Sequence, residues 1–300
     1  MLTIFTNAVI IFVMDKCFVI ANVNSGNYVN YTDEELKDIL GVEYEFVRVD
    51  IDDDFLSMAK AEKECALAVV GGDGTLNSIL NKIKRYPFKV YYIPKGTLNE
   101  KAKGNKRFNS ANNTYIGKAN GQIFTYVAAA GSFTPIGYRT KTKTKKRLKL
   151  FAYFVQALKE YKVYDIPTEL KIDGVDRSGN YTLIMYLKSP RCFIFRFNKL
   201  YSPDTEEGHL LLISSPGKDN FINRVRIFFP LFRAFFIGFR KEVKKKNLVF
   251  TSFKTVDMKL NSETSFAFDG EKKTLNGDIR VKMTPLRPDL IICSPKNAKR

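Results

Sequence analysis

The sequence predicts an N-terminal α/β domain with a parallel sheet, followed by a C-terminal domain that is mainly an antiparallel β-sandwich. Between residues 16 and 93, apolar runs of strand length alternate with helix-like patterns, which is typical of a parallel α/β sheet. From about residue 126, many short runs are separated by Gly, Pro and Asp turns. The charge changes as well, since residues 1–128 carry 15 basic and 15 acidic residues and the net charge of +18 lies entirely beyond them.

In the first domain, each predicted strand leads into a predicted helix or a loop. The clearest helix follows a glycine-rich turn, because Leu76, Ile79, Leu80 and Ile83 are spaced like one apolar helix face. In chain order, the predicted elements are a strand at 16–21, a helix at about 32–40, a strand at 44–49, a helix at about 53–63, a strand at 65–70, a helix at 75–85 and a strand at 89–93. We predict that this domain covers residues 14–125.

The second domain is predicted from short strand-like runs. These runs lie at 181–187, 192–197, 209–214, 248–253, 255–260 and 280–283. We predict a β-rich domain over residues 126–289 and a separate C-terminal segment over residues 290–300.

Residues 1–13 stand apart from both domains. They are apolar and almost uncharged, but they are too few to span a bilayer, and they lack the basic start and the cleavage site of a signal peptide. We expect that translation starts at Met14 and that residues 1–13 are a non-native or disordered extension. The alternative is a small membrane anchor, and the mass of the protein from its native host distinguishes the two.

The most informative stretch is the turn formed by Gly71, Gly72, Asp73, Gly74 and Thr75, between an apolar strand and a helix. Glycine lets the backbone approach an anion closely, and a helix N-terminus offers unpaired N–H groups that favour phosphate. A carboxylate repels phosphate, so Asp73 fits here if it holds Mg²⁺, or a metal-bound water, against the phosphate groups. The alternative is a tight glycine turn with an aspartate cap.

Two further loops with glycine and polar side chains follow strands of the same domain. The loop after the strand at 89–93 contains Pro94, Gly96, Thr97 and Asn99. The loop after the first strand contains Asn22, Ser25 and Gly26, and by itself it is typical of an ordinary turn. Loops at the carboxyl ends of parallel strands line a crevice, so we expect these loops to form one binding site.

In this order, the loops resemble the diacylglycerol kinase catalytic-domain family, which includes bacterial lipid kinases and sphingosine kinases. The residues at 71–75 match the family's second loop without change. Val23 stands where the first loop of the family has Pro, and Glu100 and Lys101 stand where the third has Asp and Phe. Segments at 124–133, 138–140, 151–153, 207–211 and 268–271 are also similar, so the resemblance covers nearly the whole chain.

The resemblance implies a kinase that uses ATP and Mg²⁺ to phosphorylate the hydroxyl of a lipid such as diacylglycerol, with a chain end, at 290–295, that returns to the first domain. Asp73 would be the Mg²⁺-linked carboxylate, and Glu271 would be the general base that accepts the proton of the hydroxyl. The residues that would hold ATP are Asn22, Ser25, Gly26, Gly71, Gly72, Gly74, Thr75, Gly96, Thr97 and Asn99.

Two departures from the family pattern concern carboxylates. By resemblance, Glu207 would bind a second, structural Mg²⁺, at a position where the family has Asp. Glu adds a methylene at both Glu100 and Glu207, which moves the oxygen atoms by about 1 Å, enough to weaken a positioned group. We therefore expect this metal site, and to a lesser degree the activity, to be weakened.

Charge and composition restrict the partners. The single His209 excludes a His-based metal cluster, and four cysteines without a CxxC pair predict reduced thiols in a cytoplasmic protein. The basic second half favours peripheral attachment to an anionic membrane, most strongly at 141–149 and 221–246. We expect the six phenylalanines at 228–239 to pack mainly in the core of the second domain. Nucleic acid is not expected as a partner, because no nucleic-acid-binding motif is present.

Two rival functions remain open. An NAD kinase shares the loop at 71–75 and the general architecture, but the loop at 94–99 and the Asp-Gly-Glu at 269–271 argue against it. A catalytically weak, membrane-associated protein that binds lipid or nucleotide is the second rival. The departures at Val23, Glu100, Lys101 and Glu207 support that rival, whereas Asp73 and Glu271 favour the enzyme.

Overall fold

The first sheet has five strands, and all of its pairs are parallel. The computed structural model describes residues 15–22, 29–62, 64–83, 86, 88–96, 98–105, 115–132, 162–192, 195–287 and 289–293. The five strands are β1 (Lys16–Ala21), β2 (Glu45–Asp50), β3 (Cys65–Gly71), β4 (Lys89–Pro94) and β16 (Asp289–Ile292). Their spatial order is β16-β4-β3-β1-β2. The four predicted strands of the first domain are therefore present, and the C-terminal strand extends their sheet beyond β4.

The helices of the first domain begin where the sequence supplies a cap or a glycine-rich turn. α1 (Asp33–Leu40) starts with a capping box, because the Thr32 hydroxyl accepts a hydrogen bond from the Glu35 N–H and the Glu35 carboxylate accepts one from the Thr32 N–H. α2 (Phe55–Ala61) is capped by the Asp54 carboxylate. α3 (Asp73–Ile83) and α4 (Glu100–Asn105) follow the two glycine-bearing loops. α3 begins two residues earlier than predicted, because its first turn includes Asp73 and Gly74.

The core of the first domain lies between α3 and the parallel sheet. The four residues of the predicted apolar face, Leu76, Ile79, Leu80 and Ile83, are completely buried. They belong to one cluster with side chains of β1, β3 and β4, including Ile20, Leu67, Val69, Val90 and Tyr92. This packing fixes the N-terminus of α3 at the carboxyl edge of the sheet, where the predicted site lies.

The second sheet has eleven strands, and its pairs are antiparallel. They are β5 (Tyr115–Ala119), β6 (Gln122–Phe124), β7 (Val127–Gly131), β8 (Ile166–Ile172), β9 (Val175–Asp176), β10 (Gly179–Leu187), β11 (Gly208–Ser214), β12 (Val243–Lys245), β13 (Leu248–Phe253), β14 (Thr255–Phe268) and β15 (Glu271–Pro285). The sheet therefore begins at β5 rather than at the predicted residue 126. The reason is that β5 pairs with β15, which lies about 160 residues further along the chain.

The helix α5 (Phe221–Phe232) and the π-helical turn Arg233–Ile237 cover one face of this sheet. Their inward side chains, Ile227, Leu231, Ala234 and Phe235, join the core around β10 and β11. The prediction that the aromatic residues of this segment pack in the core is correct for Phe235 and Phe239. It is wrong for the exposed Phe228, Phe229, Phe232 and Phe236.

The predicted fold class is confirmed: a parallel α/β domain precedes a mainly antiparallel domain. Across the described ranges, no helix combines the length and the apolar character needed to cross a membrane. The extension at 1–13, the basic run at 141–149 and the site residues Ser25, Gly26 and Thr97 lie outside the described residues.

Candidate active site

The loop at 71–75 joins the end of β3 to the start of α3. The first hydrogen bond of the helix runs from the Leu76 N–H to the Gly72 carbonyl, at 3.1 Å. The N–H groups of residues 73–75 therefore have no partner within the helix, and they lie at the positive end of its dipole. A helix N-terminus of this kind favours a phosphate group.

The second glycine loop lies directly against the first. A Cβ atom on Gly96 would lie 2.4 Å from the Cα of Gly72, and one on Gly72 would lie 3.1 Å from the Cα of Gly96. The Lys95 N–H also donates to the Gly71 carbonyl, at 2.7 Å. The two loops can approach this closely only because both contact positions are glycine.

Asn99 carries an unpaired polar atom beside this glycine contact. Its side-chain Oδ1 is buried and has no hydrogen-bond partner among the residues that the structure describes. A Cβ atom on Gly96 would lie only 2.8 Å from this oxygen. Because buried polar atoms are nearly always paired in folded proteins, this oxygen fits a position that a ligand group or metal-bound water completes.

Asp73 is buried and connects the two loops. Its carboxylate accepts hydrogen bonds from the backbone N–H groups of Glu100, at 2.7 Å, and Lys101, at 3.1 Å, so it caps the start of α4. Burial raises the pKa of Asp73 to about 6, although the two backbone hydrogen bonds act in the opposite direction. The aspartate cap that the sequence offered as an alternative is therefore present, but on the neighbouring helix. The Mg²⁺-linked role of Asp73 stays a prediction.

Glu100 has a buried partner in the second domain. Arg191 lies beyond the end of β10, and its Nε and a terminal nitrogen donate to the two carboxylate oxygens of Glu100 at 2.7 and 3.2 Å. The Glu100 side chain is fully buried, and burial raises its pKa to about 7, whereas Arg191 lowers the pKa. The longer side chain at position 100 is thus matched by a bidentate arginine, which joins α4 to the second domain.

Lys101 is buried at the position where the resembling family has an apolar residue. Its ammonium donates to the Thr125 carbonyl, at 2.8 Å. Burial lowers the pKa of Lys101 to about 7, although the nearby carboxylates of Asp269 and Asp73 raise it. The departure therefore places a titratable amine between two buried carboxylates of the candidate site.

Asp269 anchors the turn that carries the Asp-Gly-Glu motif. Its buried carboxylate accepts five hydrogen bonds, from the Asn77 amide, the Thr125 hydroxyl and the backbone N–H groups of Thr125, Tyr126 and Val127. Asp269 and Gly270 both have positive φ, at 49° and 94°, as a two-residue hairpin turn requires. Because Asn77 lies on α3, the same carboxylate ties the second domain to the helix of the glycine loop.

This anchoring brings Glu271 to the loop at 71–75. Glu271 begins β15, and a Cβ atom on Gly74 would lie only 3.0 Å from its Oε1. The Glu271 side chain is exposed, so its carboxylate is accessible at the cleft. Two predicted site residues that are almost 200 positions apart in the sequence are therefore neighbours.

A cavity of ≈130 Å³ lies at the carboxyl ends of β1, β2 and β3. Its wall includes Ala21, Tyr31, Asp50 and Val70, and Asn22 follows β1 directly. The ammonium of Lys95 lies 5.2 Å from the centre of the Tyr31 ring, so this cavity adjoins the second glycine loop. The cavity lies at the carboxyl edge of the sheet, but none of the predicted site residues that the structure describes forms its wall, so the binding crevice stays a prediction.

The structure places Glu207 at the surface beside the buried Lys188, and its metal-binding role stays a prediction. Its side chain is exposed, and its backbone carbonyl accepts a hydrogen bond from the buried ammonium of Lys188, at 3.0 Å. Within the described ranges, no three His, Cys, Asp or Glu side chains converge in a way that would hold a metal ion. The Lys188 ammonium already binds backbone carbonyl oxygens of this loop, including that of Glu207.

Sequence reasoning missed Arg191, Lys188, Asn77 and the anchoring role of Asp269. The partners of Arg191 and Asn77 lie 91 and 192 positions away, and no local spacing marks such pairs. The acidic motif at 269–271 was visible, but the network of donors around its first residue was not.

Comparisons with known proteins agree with this architecture. Residues 16–119 match the family model described as diacylglycerol kinase catalytic domain. A protein named diacylglycerol kinase from Staphylococcus carnosus is 25% identical over 250 residues, which cover 78% of this chain and 78% of the relative. Its namesake from Staphylococcus haemolyticus is 24% identical, with coverage of 77% and 71%.

A crystal structure described as a diacylglycerol kinase from Bacillus anthracis has the same fold. It superposes with a TM-score of 0.64 at 14% identity and covers 94% of this chain and 98% of its own. The resemblance inferred from the three loops is thereby confirmed.

Proposed function

Since this chain is a lipid kinase with a diacylglycerol kinase catalytic domain at residues 16–119, we propose that it transfers the γ-phosphate of ATP, with Mg²⁺, to the hydroxyl of a membrane lipid such as diacylglycerol. The observation that carries this proposal is the contact between Glu271 and Gly74. This contact places a carboxylate of the second domain beside the loop at 71–75 of the first domain. Phosphoryl transfer to an alcohol requires this pairing of a held nucleotide with a base.

The nucleotide would lie along the carboxyl edge of the parallel sheet. The N–H groups at the start of α3 would bind its phosphate groups, and the contact between Gly72 and Gly96 keeps the second glycine loop beside them. The proposed contacts are Asn22, Ser25, Gly26, Gly71, Gly72, Gly74, Thr75, Gly96, Thr97 and Asn99. The unpaired Oδ1 of Asn99 supports a ligand at this position.

Mg²⁺ would be held near Asp73 and Asn99, because the Asp73 carboxylate binds the N–H of Glu100, the residue after Asn99, and the amide oxygen of Asn99 is unpaired. When bound, it would neutralise the charge on the phosphate oxygens. The protein's own contribution is positional, because Asp73 fixes α4, and thereby Asn99, relative to the glycine loop.

Glu271 is proposed as the general base. It would accept the proton of the lipid hydroxyl while that oxygen attacks phosphorus. The neighbouring Asp269 cannot take this role, because its two oxygens already accept five hydrogen bonds. Asp269 is therefore a positioning residue that holds Glu271 against the loop.

The test is phosphate transfer from Mg²⁺-ATP to a panel of lipid alcohols in anionic mixed micelles, with NAD as a parallel acceptor. We compare the wild type with Glu271→Gln and with the control Glu263→Gln, which changes an exposed glutamate elsewhere on the second sheet. We expect lipid phosphorylation that falls about 10²- to 10⁴-fold in Glu271→Gln only. Transfer to NAD would establish the rival NAD kinase, and lipid binding without any transfer would establish the catalytically weak binding protein.

A further inference from the structure

The outer face of α5 and the π-helical turn is the largest exposed apolar region that the structure describes. Twelve large hydrophobic residues are exposed across the described ranges, and eight of them lie between 221 and 237. We call these eight the aromatic face: Phe221, Ile222, Val225, Phe228, Phe229, Phe232, Phe236 and Ile237. Phe221 and Phe229 are 80% and 67% exposed. A contiguous apolar surface of this kind marks an interaction site.

The rings of the aromatic face are ordered against one another. Phe232 stacks on Phe228 with a centroid distance of 5.9 Å and on Phe236 with a distance of 4.9 Å. The opposite side of the same helix is buried in the second domain through Ile227 and Leu231. The helix is therefore apolar on both sides, and only one of them is used by the fold.

Basic residues flank the aromatic face along the chain, and we call them its basic border. Between 218 and 246 the chain has nine basic and two acidic residues. Both acidic side chains are already paired, since Asp219 binds Arg224 and Glu242 binds Lys244. Arg226 and Arg240 are exposed. An apolar helix face with a basic border is the pattern of a helix that lies in the interface of an anionic membrane. A second copy of this chain is a poor occupant, because it would bring two basic borders together.

The aromatic face also connects to the candidate active site. Behind it, Phe235 contacts Phe197 with a centroid distance of 5.1 Å, and the Phe239 N–H donates to the Phe197 carbonyl. Phe197 lies six residues after Arg191, and Arg191 binds Glu100 at the start of α4. A membrane contact on α5 would therefore bind a part of the second domain that is joined directly to the cleft.

We propose that the aromatic face docks the protein on an anionic lipid bilayer, with the phenylalanines in the interface and the basic border on the headgroups. This deepens the proposed function, on which its relevance to lipid phosphorylation rests. The binding itself is measured without any reaction, by co-sedimentation with vesicles of phosphatidylglycerol and with vesicles of phosphatidylcholine.

The variant carries Phe228→Ser, Phe229→Ser and Phe232→Ser together, and the control is Val175→Ser, which removes an exposed apolar residue of β9. We expect the wild type and the control to bind phosphatidylglycerol vesicles, and the triple variant to bind at least ~10-fold more weakly. Phosphorylation of a short-chain diacylglycerol below its micelle concentration should be the same in all three. Undiminished vesicle binding by the triple variant would overturn the proposal, as would a wild-type dimer that the triple variant converts to monomers. If the wild type binds vesicles but phosphorylates no lipid, the docking surface stands and the proposed function fails.

A second observation concerns the loop at 201–207, where the resemblance placed a structural Mg²⁺. The buried ammonium of Lys188 donates to three backbone carbonyls of this loop, those of Thr205 at 2.6 Å, Glu207 at 3.0 Å and Ser202 at 3.4 Å. The rings of Tyr115 and Tyr201 lie 5.7 and 5.8 Å from the same nitrogen. An ammonium has three donors, so the three carbonyls match it in number.

We infer that Lys188 supplies the cation of this loop in place of a metal ion. The thermal midpoint of the nucleotide-free wild type should then be the same in EDTA and in millimolar Mg²⁺. Lys188→Met should lower it by at least ~3 °C, because the loop carbonyls lose their donor. The matched control is Lys199→Met, which changes an exposed lysine of the same region. A midpoint that Mg²⁺ raises in the wild type but not in Glu207→Gln would overturn the inference, even if Lys188→Met fails to fold.

Discussion

We expect that replacing Lys101 by Met changes how the free energy of unfolding depends on pH. The Lys101 side chain is 1% exposed, and burial lowers its pKa from 10.5 to about 7. The unfolded chain regains the higher pKa. Between about pH 7 and pH 10.5 the unfolded state therefore binds more protons than the folded state, so the contribution of Lys101 to stability rises with pH.

The size of this effect follows from the difference between the two pKa values. A difference of about 3.5 units corresponds to about 5 kcal/mol over the whole window, or about 1.4 kcal/mol for each pH unit in its middle. Lys101 contributes least to the free energy of unfolding near pH 7. At that pH, the stability of Lys101→Met should be closest to that of the wild type, or should exceed it. The hydrogen bond to the Thr125 carbonyl is lost in the variant at every pH, and its cost of about 1–3 kcal/mol does not alter the slope.

The measurement is urea unfolding of the wild type and Lys101→Met at several values between pH 7.5 and 9.5, with the exposed Lys273→Met as control. The pH dependence of groups that do not interact with Lys101 cancels in the difference between the curves. We expect the unfolding free energy of the wild type, relative to that of Lys101→Met, to increase by about 2–3 kcal/mol from pH 7.5 to pH 9.5. The control should show the same pH dependence as the wild type. Parallel curves for the wild type and Lys101→Met would refute the reasoning, because they would mean that Lys101 is as basic in the folded protein as in the unfolded chain.

Three further substitutions test the contacts between the domains. Gly74→Ala would place a Cβ atom 3.0 Å from the Glu271 carboxylate. We therefore expect kcat to fall about 10- to 100-fold with little change in the thermal midpoint. An unaltered kcat would mean that this contact does not position the base. Arg191→Met leaves Glu100 buried without its cation and should cost about 3–5 kcal/mol in urea unfolding, most of which the double variant with Glu100→Gln should recover; a loss below about 1 kcal/mol would contradict a buried ion pair. Asp269→Asn turns an amide donor toward groups that already donate, and we expect a loss of at least about 3 kcal/mol by the same method, whereas a neutral result would show that the five hydrogen bonds do not hold the turn.

The parts of the fold that sequence predicted are those that local pattern controls. The strands of the first domain and the apolar face of α3 follow from periodicity, and the contact of two glycine loops follows from their place after neighbouring parallel strands. The outward rings of α5 could not be predicted in this way. A helix that is apolar on both sides has no periodic signal that tells the buried side from the exposed one.

In the candidate site, too, only the features that depend on local sequence could be predicted. Its loops were visible as motifs, whereas the ion pair of Glu100 with Arg191 depends on residues that only the folded chain brings together. From sequence alone, Glu100 is predicted to be a weakening substitution, because a longer carboxylate misplaces its oxygen atoms. In the structure, Arg191 binds both carboxylate oxygens of Glu100, so this side chain connects the two domains.

The position of β16 has a consequence for the order in which the molecule is completed during synthesis. Its residues pair with β4 in the first sheet, but they are translated after all eleven strands of the second. On the ribosome, the nucleotide-side sheet therefore emerges with an open edge at β4, which only the last strand can close. Because domains tend to fold as they emerge, the second domain must assemble while the first still lacks this strand. Closure of the first sheet would then report that all strands of the second sheet have been made.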